Sequence, residues 1–146
     1  MRLTVVTPLA VVVETDEVAA LRAEDTTGAF GILPGHADFI TALTVSVASW
    51  RDCRGAEHHV ALRGGMLSIR GGAAITIATP EAVAGDDLHL LEAEVLARFE
   101  KQLGDERKAR ADAQRLYLAA IRQIVRFLRP EHAVRLSSAL WPEDGP

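Results

Sequence analysis

His36 and Asp38 are the first residues in this chain with the makings of acid–base or metal chemistry. Two positions apart on one strand, their side chains would share a face, and imidazole titrates nearest to neutral pH. A third ligand or a nucleophile at motif spacing is missing. A structural histidine that caps Pro34-Gly35 or touches a partner is therefore the simpler reading. His58 and His59 are adjacent, so on a strand they point to opposite faces and cannot clamp one metal. Cys53 lies in the turn-like Asp52-Cys53-Arg54-Gly55, where a flanking guanidinium would favour the thiolate, but no base stands nearby. Gly64-Gly65 and Gly71-Gly72 read as turn glycines, because no Lys-Ser/Thr follows either pair as a phosphate loop requires. No residue set for catalysis, for a cofactor or for a metal emerges.

The sharpest charge pattern lies near the C-terminus. At ~100° per residue, Lys108, Arg115, Arg122, Arg126 and Arg129 fall in one narrow sector of a helix, and no acid occurs between Ala113 and Arg129. Leu116, Tyr117, Ala120, Ile121, Ile124, Val125, Phe127 and Leu128 form the opposite face. Such a stripe is either a solvated face or a surface made to meet an acidic partner.

The elements that must carry these residues change character near Gly85. Before it, β-branched runs are broken by Gly, Pro and Asp, and strands are expected at 3–6, 9–14, 17–23, 30–33, 39–43, 45–51, 57–62, 66–69 and 74–78. So many short strands predict an antiparallel sandwich or barrel. After Gly85, Asp86 or Asp87 supplies an N-cap. Leu88, Leu91, Val95, Leu96, Phe99 and Leu103 then recur at helical spacing. Gly104-Asp105 reads as a stop and restart, which predicts an antiparallel helical hairpin over residues 86–129. Residues 130–146 are expected to form an irregular tail after Pro130. The fold class is thus an all-β N-terminal sandwich or barrel at residues 1–85, followed by a C-terminal α-helical hairpin.

The chain has 146 residues, 49% of them hydrophobic and 25% charged, which suits one globular domain with an appendage. A net charge of −4 does not suggest nucleic acid as a partner. A single cysteine allows no internal disulfide and fits a reducing compartment. No apolar run approaches the ~20 residues of a spanning helix, so direct membrane insertion is not expected.

Between two of the strand-like runs lies Gly28-Ala-Phe-Gly-Ile-Leu-Pro-Gly-His-Ala-Asp-Phe-Ile-Thr-Ala-Leu43. Its Gly28, Gly31, Ile32, Pro34, Gly35, His36, Ala37, Thr41 and Leu43 resemble the signature of the epsilon subunit of F-type rotary ATP synthases (delta in mitochondria). Residues 62–69 resemble that family's strand–Gly-Gly–strand hairpin. The resemblance implies a non-catalytic central-stalk subunit that couples the gamma shaft to the membrane c-ring. It would lie peripherally on the cytoplasmic face of the bacterial inner membrane. It places Ile32, Pro34, Gly35 and His36 at the ring-facing end. It also implies that Arg115, Arg122, Arg126 and Arg129 meet an acidic segment of the catalytic beta subunit and restrain ATP hydrolysis.

Many bacterial relatives bind ATP through an Ile/Leu-Asp-x-x-Arg-Ala motif. The matching stretch here is Leu88-His89-Leu90-Leu91-Glu92-Ala93, with His89 for the acid and Glu92 for the cation. A glutamate repels phosphate, so nucleotide sensing is not expected. Glu92 also falls in the apolar stripe, where a carboxylate needs a partner, and an arginine of the second helix is the natural candidate. A stand-alone β-barrel enzyme using His36 and Asp38, or a nucleotide-sensing regulator, are the alternatives.

Overall fold

The computed structural model describes residues 1–128. Eight strands come first: β1 (Arg2–Val6), β2 (Val11–Thr15), β3 (Val18–Asp25), β4 (Gly28–Ile32), β5 (Phe39–Asp52), β6 (Glu57–Arg70), β7 (Ala74–Ala78) and β8 (Ala82–Gly85). The hydrogen-bonded order is β2-β1-β7-β6-β5-β3-β4, with β8 added on β6. All neighbours are antiparallel except β1 and β7, which run parallel.

Two long bent strands turn this ladder into two layers. β6 pairs β7 through Met66–Arg70 and β8 through His59–Leu62. Its bend falls at Gly64-Gly65, opposite Leu43 of β5. Those glycines are therefore mid-strand and not a hairpin turn, and each of the two predicted pairs flanking the bends, 39–43 with 45–51 and 57–62 with 66–69, is a single strand. Gly64 has φ +72° and Gly65 φ +123°. A Cβ on Gly65 would lie 2.2 Å from the Ala78 carbonyl oxygen, so the close approach of β7 excludes any side chain. The core fills the space between the layers with Leu3, Val5, Leu21, Ile32, Leu62, Leu67, Ile69, Ile75 and Ile77, each at most 2% exposed.

Helix follows directly. Asp87 caps α1 (Leu88–Leu90), its side chain accepting from the Leu90 N–H at 3.1 Å. A π-helical turn, Leu91–Val95, leads into α2 (Leu96–Phe127). Leu91 and Phe99 bury themselves with Ala61, packed by Val45, Val47, Val83, Val95 and Leu96. The helix start thus seals the outer side of the β5–β6–β8 layer. Glu92 emerges exposed, so the buried carboxylate with an arginine partner is not formed.

The predicted break at Gly104-Asp105 is also absent. A glycine C-cap needs a left-handed backbone, and Gly104 is not among the positive-φ glycines; α2 continues through it. One helix therefore stands where a hairpin was expected. The chain divides into two compact units, Met1–Leu103 and a second from Gly104 onward. In the second, Leu116, Tyr117, Ile124, Val125, Phe127 and Leu128 are each more than half exposed. Arg129 and the expected tail lie outside the described residues.

Candidate functional site

Residues 33–38 connect β4 to β5 as a turn and not as a strand, so His36 and Asp38 do not share a strand face. The His36 Nδ1 lies 2.8 Å from the Ala37 carbonyl oxygen, and its ring meets Phe39 edge-on at 5.9 Å. Asp38 turns elsewhere: its Oδ1 accepts the Gly71 N–H at 2.7 Å. The acid–base pair is therefore not assembled. Pro34 and Gly35 are exposed, His36 is half-buried, and Ile32 is 0% exposed. Ile32 consequently anchors the turn in the core and offers no surface to a partner. Leu33, which sequence reasoning passed over, stands 62% exposed beside it.

Thr41, another position of the glycine-rich segment, explains itself through Asp25. Asp25 Oδ2 accepts the Thr41 hydroxyl at 2.8 Å, and Oδ1 accepts the Thr27 N–H at 2.8 Å and its hydroxyl at 2.6 Å. Hydrogen bonds from Thr27 first, then from Thr41, hold the Asp25 carboxyl below the usual range. This knot ties the β3–β4 turn to β5.

At the other end of β5, His58 stacks on Trp50 with centroids 5.3 Å apart, and its Nε2 lies 3.2 Å from Asp52 Oδ2. That contact is the main cause of a lowered Asp52 carboxyl. His59 points the other way and meets the Ser49 hydroxyl at 2.8 Å. The two histidines do occupy opposite faces, and each has a structural partner. Cys53 is exposed in its turn. Among the described residues no group of three or more His, Cys, Asp or Glu could hold a metal ion.

Two surfaces remain without an internal role. The first is the outer face of β1, β7, β6 and β5. Its rows in register are Thr4, Thr76, Ser68 and Ile40, then Val6, Ala78, Met66 and Ala42. On these four strands neither row carries a charged side chain, and Ile40 is 66% and Met66 46% exposed; the uncharged patch is bounded by Arg2 and Arg70 in the next row and by Glu14 of β2 beside Thr4. The second surface is the basic sector of α2, where Lys108, Arg115, Arg122 and Arg126 are all exposed. Arg115 lies 3.9 Å from Asp112, a loose contact three residues back. No helix among the described residues is long and apolar enough to cross a membrane.

A β-sandwich with an outward glycine-rich turn, followed by a helix whose start, Leu91–Phe99, packs beside β8, is the architecture of the delta/epsilon class of rotary-motor subunits. The β-sandwich domain of the ATP synthase delta/epsilon chain matches residues 1–85. The chain is 42% identical over 130 residues to an ATP synthase epsilon chain 2 of Paraburkholderia xenovorans, covering 89% of this chain and 94% of that one. It is 43% identical over 128 residues to an ATP synthase epsilon chain 2 of Cereibacter sphaeroides, covering 88% of each. In fold it is similar to a chain of the Euglena gracilis mitochondrial ATP synthase, with a TM-score of 0.55 and 23% identity, covering 73% of this chain and 62% of that one. The chain belongs to the ATP synthase epsilon chain family. It is accordingly a non-catalytic subunit of the central stalk, and the catalytic sites lie on other chains.

Proposed function

We propose that this subunit couples the gamma shaft to the membrane c-ring during ion-driven ATP synthesis, and that its C-terminal helix restrains ATP hydrolysis. The observation that carries the coupling role is the uncharged two-row patch on the outer sheet face. Eight in-register residues on four strands present methyl, thioether and hydroxyl groups to the outside. Depletion of charge in this way is what the core of a protein interface has and what a solvated sheet face lacks. The gamma subunit is its proposed partner. The turn Pro34-Gly35-His36, at the end of the same layer, is the proposed contact with the ring. Ring, shaft and sandwich would then turn as one rotor, peripheral to the cytoplasmic face of the bacterial inner membrane.

The restraint on hydrolysis is carried by α2. The stripe Lys108, Arg115, Arg122 and Arg126 lies opposite Tyr117, Ile124 and Phe127, and the segment from Gly104 to Phe127 is helical throughout. An acidic segment of the catalytic beta subunit is the proposed partner of Arg115, Arg122, Arg126 and Arg129. Exposed pairs contribute only ~0–1 kcal/mol each, so the stripe must act as a set.

The test uses reconstituted complexes with three forms of this subunit: full-length, Arg115, Arg122, Arg126 and Arg129 all changed to Ala, and truncated after Leu103. Truncation there keeps Leu91 and Phe99 on the sheet. Hydrolysis should rise in the four-Ala complex and rise further in the truncated one, with assembly intact. Raising salt should reproduce part of the four-Ala effect, since the Debye length falls to ~3 Å at 1 M. Equal rates in all three would show that the helix does not regulate.

A further inference from the structure

One carboxylate ties the helix start to the sandwich. Glu81 lies just ahead of β8, and its backbone is fixed: its carbonyl accepts the Arg63 N–H and the Thr79 hydroxyl, both at 3.0 Å. Its side chain is shared between two elements. Oε1 accepts from Arg98 Nη2 of α2 at 3.2 Å, and Oε2 lies 3.7 Å from Arg63 Nε of β6. The Arg98 guanidinium also lies 5.3 Å from the centre of the Phe99 ring, and Phe99 is fully buried. Charge pair and apolar anchor therefore sit on neighbouring residues of α2.

The backbone that leads to them is not plain α-helix. The Leu96 N–H donates to the Leu91 carbonyl, the long-reach bond of a π turn. At ~100° per residue, Leu91 and Phe99 would stand ~80° apart around an uninterrupted α-helix. The surplus residue of the π turn brings Phe99 back towards the side of Leu91. Both are then buried, 3% and 0% exposed, in one cluster with Ala61. Such turns are rare. Glu92, Ala93 and Glu94 are exposed and give this one no support. The contacts that hold it lie on either side, at Leu91 and at Arg98 and Phe99.

We propose that the Glu81–Arg98 pair is a charge latch on a two-state helix start. Latched, the π turn is kept and Phe99 stays in the sheet. Unlatched, residues 91–95 relax to α-helix, Phe99 turns away from Leu91, and the helix start leaves the layer of β5, β6 and β8. The Arg98 side chain is 53% exposed and that of Glu81 36%, so dissolved salt screens the pair. Ionic strength thus sets how often the helix start lets go. Arg98 and Glu81 are positioning residues in this device, which is read from residues 63–99 and does not depend on what α2 meets in the complex.

The experiment follows hydrogen exchange of residues 88–103 in the full-length chain at low and high salt, with β5 as the internal reference. In wild type, exchange of the helix start should rise with salt while β5 stays protected. Arg98→Gln and Glu81→Gln should each exchange a few-fold faster than wild type at low salt and lose most of the salt response. Arg98→Lys should keep both the protection and the salt response. Deleting Glu94 removes the surplus residue and lets Leu91 and Phe99 share one side of a plain α-helix, so exchange should fall below that of wild type. Wild-type exchange and salt response in Arg98→Gln would overturn the latch. Faster exchange after deletion of Glu94, with β5 still protected, would overturn the two-state turn.

Discussion

Gly65 sits where a side chain cannot be accommodated. Its φ of +123° is foreign to other residues, and a Cβ would strike the Ala78 carbonyl oxygen and the Thr79 Cα at 2.2 and 2.9 Å. Gly65→Ala should therefore cost at least ~1–3 kcal/mol from backbone strain, and more because β7 must also shift, as measured by the denaturant midpoint. Gly71→Ala, whose Cβ would meet nothing within 4 Å, should cost less. Asp25 makes a pH prediction. Its carboxyl is held below the usual value, so its contribution to stability is complete above the unfolded value of about 3.9 and is lost as pH falls through the depressed folded value. Wild type and Asp25→Asn should thus differ in stability at neutral pH and converge on acidification, followed by circular dichroism. The sequence marked Thr41 and Gly35 as special through spacing alone. The reason, an acceptor sixteen residues away and a backbone contact with Gly72, exists only in three dimensions.

At the scale of elements, the alternation of apolar residues disclosed every strand except β8, whose Ala-Val-Ala-Gly carries too few large side chains to show a period. It could not tell a bend from a turn. Gly-Gly reads as a reversal locally, but β6 bends there without reversing and stays one strand, with β7 and β8 pairing to its two halves. The helix shows the same limit. Gly104 is a poor helix former, ~1 kcal/mol worse than Ala, yet α2 runs through it without a left-handed turn. Because nothing lies within 4 Å of its would-be Cβ, Gly104→Ala should raise the stability of the helix by roughly 0.5–1 kcal/mol, read by thermal melting. Destabilisation would mean a left-handed turn at that glycine. Phe99→Ala should do the opposite. Phe99 is fully buried against the sheet, and its loss should cost about 3–5 kcal/mol and release the helix start, seen as faster hydrogen exchange from Leu91 to Leu103.

For the molecule as a whole, function resides in surfaces rather than in a cleft. Composition places the change from strand to helix near Gly85, and one glycine-rich segment points to the family. The docking faces were less legible. The eight residues of the uncharged patch are scattered from Thr4 to Ala78 and come together only through the parallel β1–β7 pair, a pairing that no local pattern announces. The most direct measurement of the coupling role is therefore binding to the gamma subunit in solution. Wild type should form a stable complex by size-exclusion chromatography and calorimetry. The double variant Met66→Glu, Thr76→Glu should fold with an unchanged circular dichroism spectrum, because both side chains point outward, and should lose at least about tenfold in affinity, equivalent to ~1.4 kcal/mol. Equal affinity in the two proteins, or no complex with wild type, would contradict the assignment of that face to the shaft.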